Sequence, residues 1–399
     1  MKIAVVGAGI VGVTTAYELA ADGHAVTVFE RRGTIAEEAS FSHAGMLGPG
    51  YVAPAAAAVQ SGLRLSLGEM GWLLRRRRAT RPARYQPLHA AMQRLAQASR
   101  ERRASLAIDH KLETDRGNGL MLLFRTEQDA RRSEPQLQAL REAGMRVQDI
   151  PPVTARKLEL ALNPDTAFFG AAYLPEDEVG NCRQFALLLR GAAQALGARF
   201  QMGTTVAAIG GTAGAPVLRL AGVDGPQAFD AVVVCAGAAS NTLLASAGIP
   251  LPVAAVWGHA LNAQIREPLN APRSAVLDVQ HQVCIACVGH RVRVSGGAEM
   301  GVSASARNAS LQRLYSVLHH WFPGAAKISN DVQEWRAAMP LLPDGAPVIG
   351  ASRIPGIWLN LGHGASGWAL ACGSARRIAD QIAGRAGADT TDLAPSRFR

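Results

Sequence analysis

The 399-residue chain has too few cysteines for a disulfide framework and no apolar run long enough to span a membrane. Its five cysteines, an odd number, are scattered at 182, 235, 284, 287 and 372, which indicates a reducing compartment. No stretch reaches the roughly 18 apolar residues of a membrane span. The N-terminus lacks the basic segment, apolar core and cleavage site of a signal peptide. We therefore expect a cytoplasmic protein, either soluble or peripheral on the inner face of the cell membrane.

The sequence also lacks the features of a metal or nucleic-acid site. Aromatic residues are 5% of the chain, and neither zinc-ligand spacing nor a basic repeat interleaved with aromatics is present. Cys284-Ile-Ala-Cys287 has metal or redox spacing but no second pair, and it lies in a strand-like run, where residues three apart face opposite sides. We expect packing cysteines, no metal and no nucleic acid. The net charge of +10, with its arginine run at 75–78, is interpreted as a solvated basic face.

The first 30 residues carry a dinucleotide-binding pattern. An apolar strand at Ile3–Val6 leads into G-x-G-x-x-G at Gly7–Gly12, and Val13–Ala21 follows as a helix. Such glycines permit a tight turn, close backbone approach to a pyrophosphate, and close packing of helix on strand. The helix start adds free N–H groups. Glu30, which ends the next strand, is suited to accept hydrogen bonds from ribose hydroxyls.

Two later segments favour FAD over NAD. "FDAVVVCAGAASN" (229–241) is a strand that ends in Ala236-Gly237, where bare backbone can approach a cofactor. "GIWLNLGHGASGWALACGSARRIADQIAG" (356–384) is a strand, a glycine-rich turn and a long helix. A helix start beside the N1–C2=O edge of a flavin would stabilise the negative charge that forms there on reduction. Segments from both ends of the chain contribute to the nucleotide fold. We therefore expect a large cofactor, namely FAD.

These motifs resemble the D-amino-acid dehydrogenase branch of the glycine oxidase/D-amino-acid oxidase superfamily, nearly end to end. The matching stretches are "SHAGMLGPGYVAP" (42–54), "LLFRTEQDA" (122–130), "LPEDEVGNCRQF" (174–185), "PDGAPVIG" (343–350) and "WLNLGHGASGWALACGS" (358–374). The resemblance implies an α/β fold with a discontinuous Rossmann-type FAD-binding domain at 1–50, 150–245 and 335–399. An α+β substrate domain at 51–149 and 246–334 would lay a mixed sheet over the flavin.

The resemblance also implies the chemistry. The Cα hydrogen of an amino acid leaves as hydride to flavin N5, the imine hydrolyses to a 2-oxo acid and ammonia, and a quinone or another acceptor takes the electrons. Positioning supplies most of the rate, so no catalytic triad is expected. The implied FAD contacts are Gly7, Gly9, Ile10, Val11, Gly12, Glu30, Arg31, Ser40, His43, Ala44, Gly45, Met46, Val206 by its backbone at the adenine, Gly237, Gly362, His363, Gly364, Ser366, Gly367 and Trp368.

The segment 334–350, "EWRAAMPLLPDGAPVIG", departs from the family pattern. We interpret it as a hairpin around Pro-Asp-Gly, and in relatives it carries an arginine that grips the substrate carboxylate. Alignment places Met339 at the position of that arginine. Arg336, three residues away, falls on the opposite strand face, whereas Arg291 and Arg293 share one face and are better substitutes.

Further substrate-facing candidates are mostly histidines. His259 and His281 lie in covering-domain stretches that contain tyrosine in the relatives, and His43 and His363 lie in flavin-side loops. Each is expected to be a structural or polar wall residue rather than a base. Tyr51 is the remaining substrate-facing candidate.

Several functions stay open at this point. Ordinary D-amino acids are the leading substrates, but an apolar methionine wall also suits a secondary amine, a cyclic imino acid or a carboxylate-poor amine. A non-catalytic flavoprotein subunit and an NAD-dependent dehydrogenase that uses only the first motif are the alternatives from other classes. The stretch 51–78, apolar with a basic end, predicts either a helix on an anionic membrane that delivers electrons to quinone or a lid helix.

Overall fold

The computed structural model describes residues 1–41, 43–52, 59–62, 65–212, 214–329, 331–385 and 392–398. The strands are β1 Lys2–Val6, β2 Ala25–Phe29, β3 Gln60–Ser61, β4 Arg116–Phe124, β5 Gln148–Ile150, β6 Gly170–Gly180, β7 Arg199–Gln201, β8 Val206–Thr212, β9 Ala215–Leu220, β10 Gln227–Ala228, β11 Ala231–Val234, β12 Ala254–Gln264, β13 Ala275–Asp278, β14 Val283–Val288, β15 Arg291–Met300, β16 Gln333–Leu341, β17 Val348–Ala351 and β18 Ile357–Leu361. The helices are α1 Ile10–Ala21, α2 Leu67–Ala79, α3 Pro82–Asp109, α4 Glu127–Glu142, α5 Pro152–Leu158, α6 Cys182–Ala195, α7 Ser240–Ser246, α8 Ala304–Trp321 and α9 Gly367–Ile382.

A six-stranded sheet forms the nucleotide-binding side, in the order β17-β18-β11-β1-β2-β7. All its pairings are parallel except that of β17 with β18. Because β1 and β11 are buried along nearly their whole length, they are continuous apolar runs, as central parallel strands usually are. The predicted first strand and glycine turn are confirmed, and α1 begins at Ile10, three residues earlier than expected. A three-stranded sheet, β10-β9-β8, packs beside this one.

The second layer is a nine-stranded mixed sheet in the order β16-β12-β15-β14-β13-β4-β6-β5, with β3 paired to β15. Helix α8 packs on one face through Leu314, Val317 and neighbouring residues. The Cys284 and Cys287 run is strand β14, as predicted. Cys284 packs in the cluster with Leu122, whereas Cys287 packs against the cluster under α8, so the two thiols lie on opposite faces.

The predicted hairpin at 334–350 is wrong. The turn exists, since Gly345 N–H donates to Leu342 O at 2.9 Å and the Asp344 carboxylate accepts from Ala346 N–H at 3.1 Å. However, β16 pairs with β12 in the nine-stranded sheet, and β17 pairs with β18 in the six-stranded sheet. The segment is therefore a crossover between the two sheets, and Met339 lies just before the crossing.

Sheet membership bears on the predicted domain division, which stays a prediction. Strands β6 and β16 belong to the nine-stranded sheet, although β6 and most of β16 fall within 150–245 and 335–399, the segments predicted for the FAD-binding domain. Helix α3, within the predicted substrate segment 51–149, packs on the nucleotide side with the cluster that includes α1 and α9. The predicted fold class, a Rossmann-type sheet with a mixed sheet over it, is confirmed. Among the described residues no helix has both the length and the apolar character to cross a membrane.

Candidate active site

A cavity of about 400 Å³ lies at the carboxyl ends of β1 and β2. Glu30, Arg31, Val206 and Gly237 line it. The Glu30 carboxylate accepts hydrogen bonds from Ala8 N–H at 2.8 Å and from Arg32 N–H at 2.8 Å, which fix its side chain. Each carboxylate oxygen keeps a further lone pair. The carboxylate can therefore also accept from the ribose hydroxyls of a dinucleotide.

Each glycine of the first turn is needed for a different physical reason. A Cβ at Gly7, whose φ is +101°, would lie 2.6 Å from Cys235 O, and one at Gly12 would lie 1.9 Å from Gly7 O. Both positions exclude any side chain because backbone is already there. Gly9 instead lines the cavity and precedes α1 without a side-chain cap. Apart from Ile10 N–H, which donates to Ser40 Oγ, the N–H groups of the first turn of α1 are suited to a pyrophosphate.

A second cavity, of about 290 Å³, lies between the two large sheets. Gly9, Ala39, Ser40, Cys235 and Gly237 line both cavities, so the two form one elongated site. Ser40 Oγ accepts from Ile10 N–H at 3.0 Å and so fixes its loop on the start of α1. The combined length suits a cofactor that runs from Glu30 to the space under the mixed sheet.

His43 fastens two loops of this second cavity. Its Nε2 lies 2.9 Å from Ala365 O, and its Nδ1 accepts from Gly45 N–H at 3.0 Å. Because a carbonyl only accepts, His43 carries its proton on Nε2. Burial lowers the pKa of His43 to about 4, so the ring is neutral at pH 7. His43 therefore holds the loop at Gly45 against the loop at Ala365, and we call this pair of hydrogen bonds the His43 latch.

The end of β18, the turn after it and the start of α9 present buried polar atoms to the cavity. Within the described residues, Asn360 Oδ1, His363 Nε2 and Trp368 Nε1 are buried and make no hydrogen bond. All three side chains line the cavity. Buried polar groups normally have partners, so this cluster fits a polar ligand, and the start of α9 favours one that gains negative charge. The residues present therefore fit a flavin.

Met339 forms an apolar part of the cavity wall. It is half-buried and packs with the cluster of Trp72, Val256, Ala298 and Leu341. Its register partner in β12 is Val256. The Met339 position therefore borders the cavity, as the alignment requires, although its role there remains a prediction.

Trp257, His259 and Arg336 lie on the other face of the sheet. Residues one apart in a strand face opposite sides, and Arg336 stacks on the Trp257 ring at 3.8 Å from its centroid. His259 Nε2 lies 3.0 Å from the buried Glu299 carboxylate. His259 still lines the cavity, but from the side of α8.

The two predicted replacement arginines do not line the cavity. Arg291 is held at the strand end by an ion pair of 2.5 Å with Asp331. Arg293 is buried, and its guanidinium donates to His43 O at 3.1 Å. Burial lowers the pKa of Arg293. The guanidinium supports the latch loop.

The remaining predicted residues divide between the lining and the surroundings. Ile10, Val11, Ser40, Ala44, His281, Gly362, Gly364 and Gly367 line the second cavity. Gly12, Gly45, Met46 and Ser366 are not part of the lining of either cavity. Met46 packs in the core below β6, and the side chain of Tyr51 lies outside the described part.

Asn360 and Arg313 are among the lining residues that were not predicted from sequence. The sequence does contain an indication that Asn360 is functional, since it is a polar residue in the buried strand "WLNL". Its Nδ2 donates to Thr15 Oγ1 at 3.0 Å. Arg313 of α8 had none, because an arginine on an amphipathic helix usually faces solvent.

Comparison with known proteins gives consistent matches. A family model described as "DAO: FAD dependent oxidoreductase" matches residues 2–381. A D-amino acid dehydrogenase of Rhizobium rhizogenes is 35% identical over 423 residues, which cover 100% of both chains. One from Cereibacter sphaeroides is 36% identical over 422 residues, covering 100% of this chain and 95% of that one. The crystal structure of glycine oxidase from Geobacillus kaustophilus superposes with a TM-score of 0.74 at 25% identity, covering 99% of this chain and 98% of that one.

Proposed function

The chain belongs to the DAO family of FAD-dependent oxidoreductases, and from that premise we propose that it oxidises the carbon–nitrogen bond of D-amino acids. The observation that carries the proposal is the single elongated site that runs from Glu30 to Met339. Its Glu30 end suits the adenosine half of FAD, and its other end brings the orphaned polar atoms of 360–368 opposite an apolar wall. The name shared by the two bacterial relatives supplies the substrate class.

FAD, when bound, supplies the hydride acceptor. The start of α1 would hold the pyrophosphate, and Glu30 would hold the ribose. Asn360, His363 and Trp368 would hold the polar edge of the flavin ring. The His43 latch would fix the loop that lies against the ring.

The chain itself supplies orientation rather than a strong base. None of the described residues that line the second cavity is an aspartate or glutamate. Burial lowers the pKa of His363 to about 3 and that of His43 to about 4, so both rings are neutral hydrogen-bonding groups at pH 7. The substrate amine would therefore enter without its extra proton, and the walls would align its Cα–H bond.

Anaerobic reduction of the purified flavoprotein tests this function. A panel of D-amino acids, their L-enantiomers, N-methyl amino acids and cyclic amino acids would each be mixed with the protein under argon. We expect D-amino acids to bleach the visible flavin absorbance and L-enantiomers to leave it unchanged. Bleaching by L-enantiomers alone, or by no amine, would refute the assignment.

A second candidate substrate class follows from Met339. The wall around it is apolar, and an amino acid carboxylate buried there would need a cation from elsewhere. Secondary amines or cyclic imino acids that expose less charge to this wall would avoid the cost. Preferential bleaching by N-alkyl or cyclic substrates in the same panel would favour this class.

We also propose that helix α2 binds a membrane surface, where the electrons pass from the flavin to a quinone. Trp72 anchors this helix, since its Nε1 donates to Pro252 O at 2.9 Å. Leu67, Met70 and Leu74 recur at helical spacing on the other side and are 83%, 42% and 62% exposed. Arginines at 77 and 78 fall on the same side and would attract anionic lipid.

Vesicle sedimentation tests the membrane surface. The wild type should pellet with anionic vesicles at low salt and remain in solution with neutral vesicles. The double variant Leu67→Ser/Leu74→Ser should lose the binding, whereas Ile108→Ser, which removes an equally exposed side chain elsewhere, should retain it. Equal binding by all three proteins would exclude α2 as the contact.

A further inference from the structure

A separate groove of about 1270 Å³ lies where the end of α2 meets the start of α3. Most of the rest of its lining comes from the loop at 248–252, the turn at 343–344 and the C-terminal residues 392–398. None of its described lining residues also lines either cavity of the elongated site. The groove is therefore separate from the proposed FAD and substrate site.

Arginine is the characteristic residue of this groove, which we call the arginine groove. Arg75 and Arg78 lie one turn apart on α2, and Arg84 lies in the first turn of α3. Within the described part of the chain these three guanidinium groups make no hydrogen bond or ion pair with the protein. Arg353 and Arg397 are the other arginines of the described lining. Three permanent positive charges are thus available to a ligand.

The acids of the arginine groove are already occupied. Among the described lining residues the carboxylates are those of Asp344 and Asp392. Asp344 accepts from Arg397 Nε at 2.8 Å, and Asp392 accepts from Arg94 Nη2 at 3.2 Å. A concave surface with an excess of one charge concentrates its electrostatic field and attracts ligands of the opposite charge. The groove is therefore suited to an anion.

Apolar groups lie beside these cations. Leu88 and Phe398 line the groove and are half-buried. On α2, Leu74 is 62% exposed and lies one helical turn before Arg78, so the two side chains are neighbours on the helix surface. A free phosphate would leave this apolar surface in water. A phospholipid has both the anionic group and the acyl chains that match the two parts of the surface.

We propose that the arginine groove binds the phosphate headgroup of an anionic phospholipid. The proposal rests on the membrane contact of α2 proposed above and names the lipid class that this contact selects. Arginine guanidinium groups bind phosphate oxygens through pairs of parallel hydrogen bonds, so Arg75, Arg78 and Arg84 would hold the headgroup. Leu74 would lie at the boundary with the acyl chains. Binding then depends on the headgroup itself as well as on the charge of the membrane surface.

Lipids that stay monomeric in water test the groove without a membrane. The probes are anionic dihexanoylphosphatidylglycerol, dihexanoylphosphatidylcholine, which has the same chains but no net charge, and glycerol 3-phosphate, which has no chains. Titration calorimetry at low salt and below the micelle concentration measures their affinities. We expect the anionic lipid to bind about tenfold more tightly than either of the other two. Each arginine near an anionic lipid contributes about a fivefold gain in affinity, so Arg75→Gln/Arg84→Gln should weaken the anionic lipid by about 25-fold.

Two further double variants control the interpretation. Arg132→Gln/Arg307→Gln removes two exposed arginines from α4 and α8 and should leave the affinity for the anionic lipid unchanged. Leu67→Ser/Leu74→Ser should keep most of this affinity, since neither leucine lines the groove, although the variant should no longer pellet with vesicles. Far-UV circular dichroism shows that each variant is folded.

The outcomes separate the groove from the membrane contact. Unchanged affinity after the loss of Arg75 and Arg84, or an equal loss in the α4/α8 control, would overturn the proposal. Glycerol 3-phosphate that binds as tightly as the anionic lipid would overturn the assignment to a lipid. A wild-type protein that binds the monomeric lipid through these arginines but never pellets with anionic vesicles would instead refute only the membrane contact of α2.

Discussion

Replacing Met339 by arginine should restore a carboxylate-binding residue to the wall of the second cavity. Met339 is half-buried and borders the cavity, with Val256 as its partner in β12. Hydrogen bonds to charged groups contribute about 1.5–3 kcal/mol. A short amino acid whose carboxylate meets the new guanidinium should therefore bind about ten- to 150-fold more tightly.

The same change should cost stability when no ligand is bound. Trp72, Val256 and Leu341 surround the position, so the guanidinium would lack a partner there. Burying a polar group without a hydrogen bond costs about 1–3 kcal/mol in proteins. A carboxylate ligand should recover part of this loss, because it binds only the folded protein.

Steady-state kinetics with D-alanine and D-proline provide the assay. Met339→Arg should lower the KM for D-alanine by at least tenfold, and its melting temperature should rise more on addition of a carboxylate than that of the wild type. Met339→Leu, which keeps an apolar side chain, should stay close to the wild type. If arginine leaves the rates and KM values for both substrates unchanged, Met339 does not face the substrate and the alignment is wrong.

Three other changes have defined outcomes. Burial raises the pKa of Asp177 from 3.8 to about 7, so this group stabilises the fold below pH 3.8 and loses that contribution as pH rises to about 7. Asp177→Asn should flatten this part of the pH–stability curve and stabilise the protein at pH 8 by up to roughly 4 kcal/mol in urea unfolding; an unchanged curve would contradict the burial argument. Gly12→Ala should abolish flavin retention because its Cβ would lie 1.9 Å from backbone, whereas Gly33→Ala has open space and should retain flavin; equal flavin content in the two would count against the glycine turn. His43→Ala should release flavin more readily in a dilution assay, and unchanged retention would show that the latch to the 365 loop is dispensable.

The parts of the fold that sequence predicted well are those set by neighbouring residues. The first glycine turn needs only backbone proximity between Gly7 and Gly12. The strand, turn and helix at 357–382 likewise follow from apolar patterning and glycines. Local pattern and local structure agree because the interactions that decide them lie within one βα unit.

The failures involve long-range pairing. The 334–350 segment has the pattern of a hairpin, but β16 pairs with β12, about 80 residues earlier. The same register decides the face of His259, which lines the cavity from the side of α8 and not from the face of Met339. Arg291 and Arg293 do share a strand face. Only the fold shows that Arg291 forms an ion pair with Asp331 and that Arg293 donates a hydrogen bond to His43 O.

The flavin content of the purified protein is the most direct test of the central claim. One FAD per chain should be released on denaturation, and the native protein should show the visible absorbance bands of an oxidised flavin. A colourless protein that stays colourless when FAD is added would contradict the assignment of the elongated site.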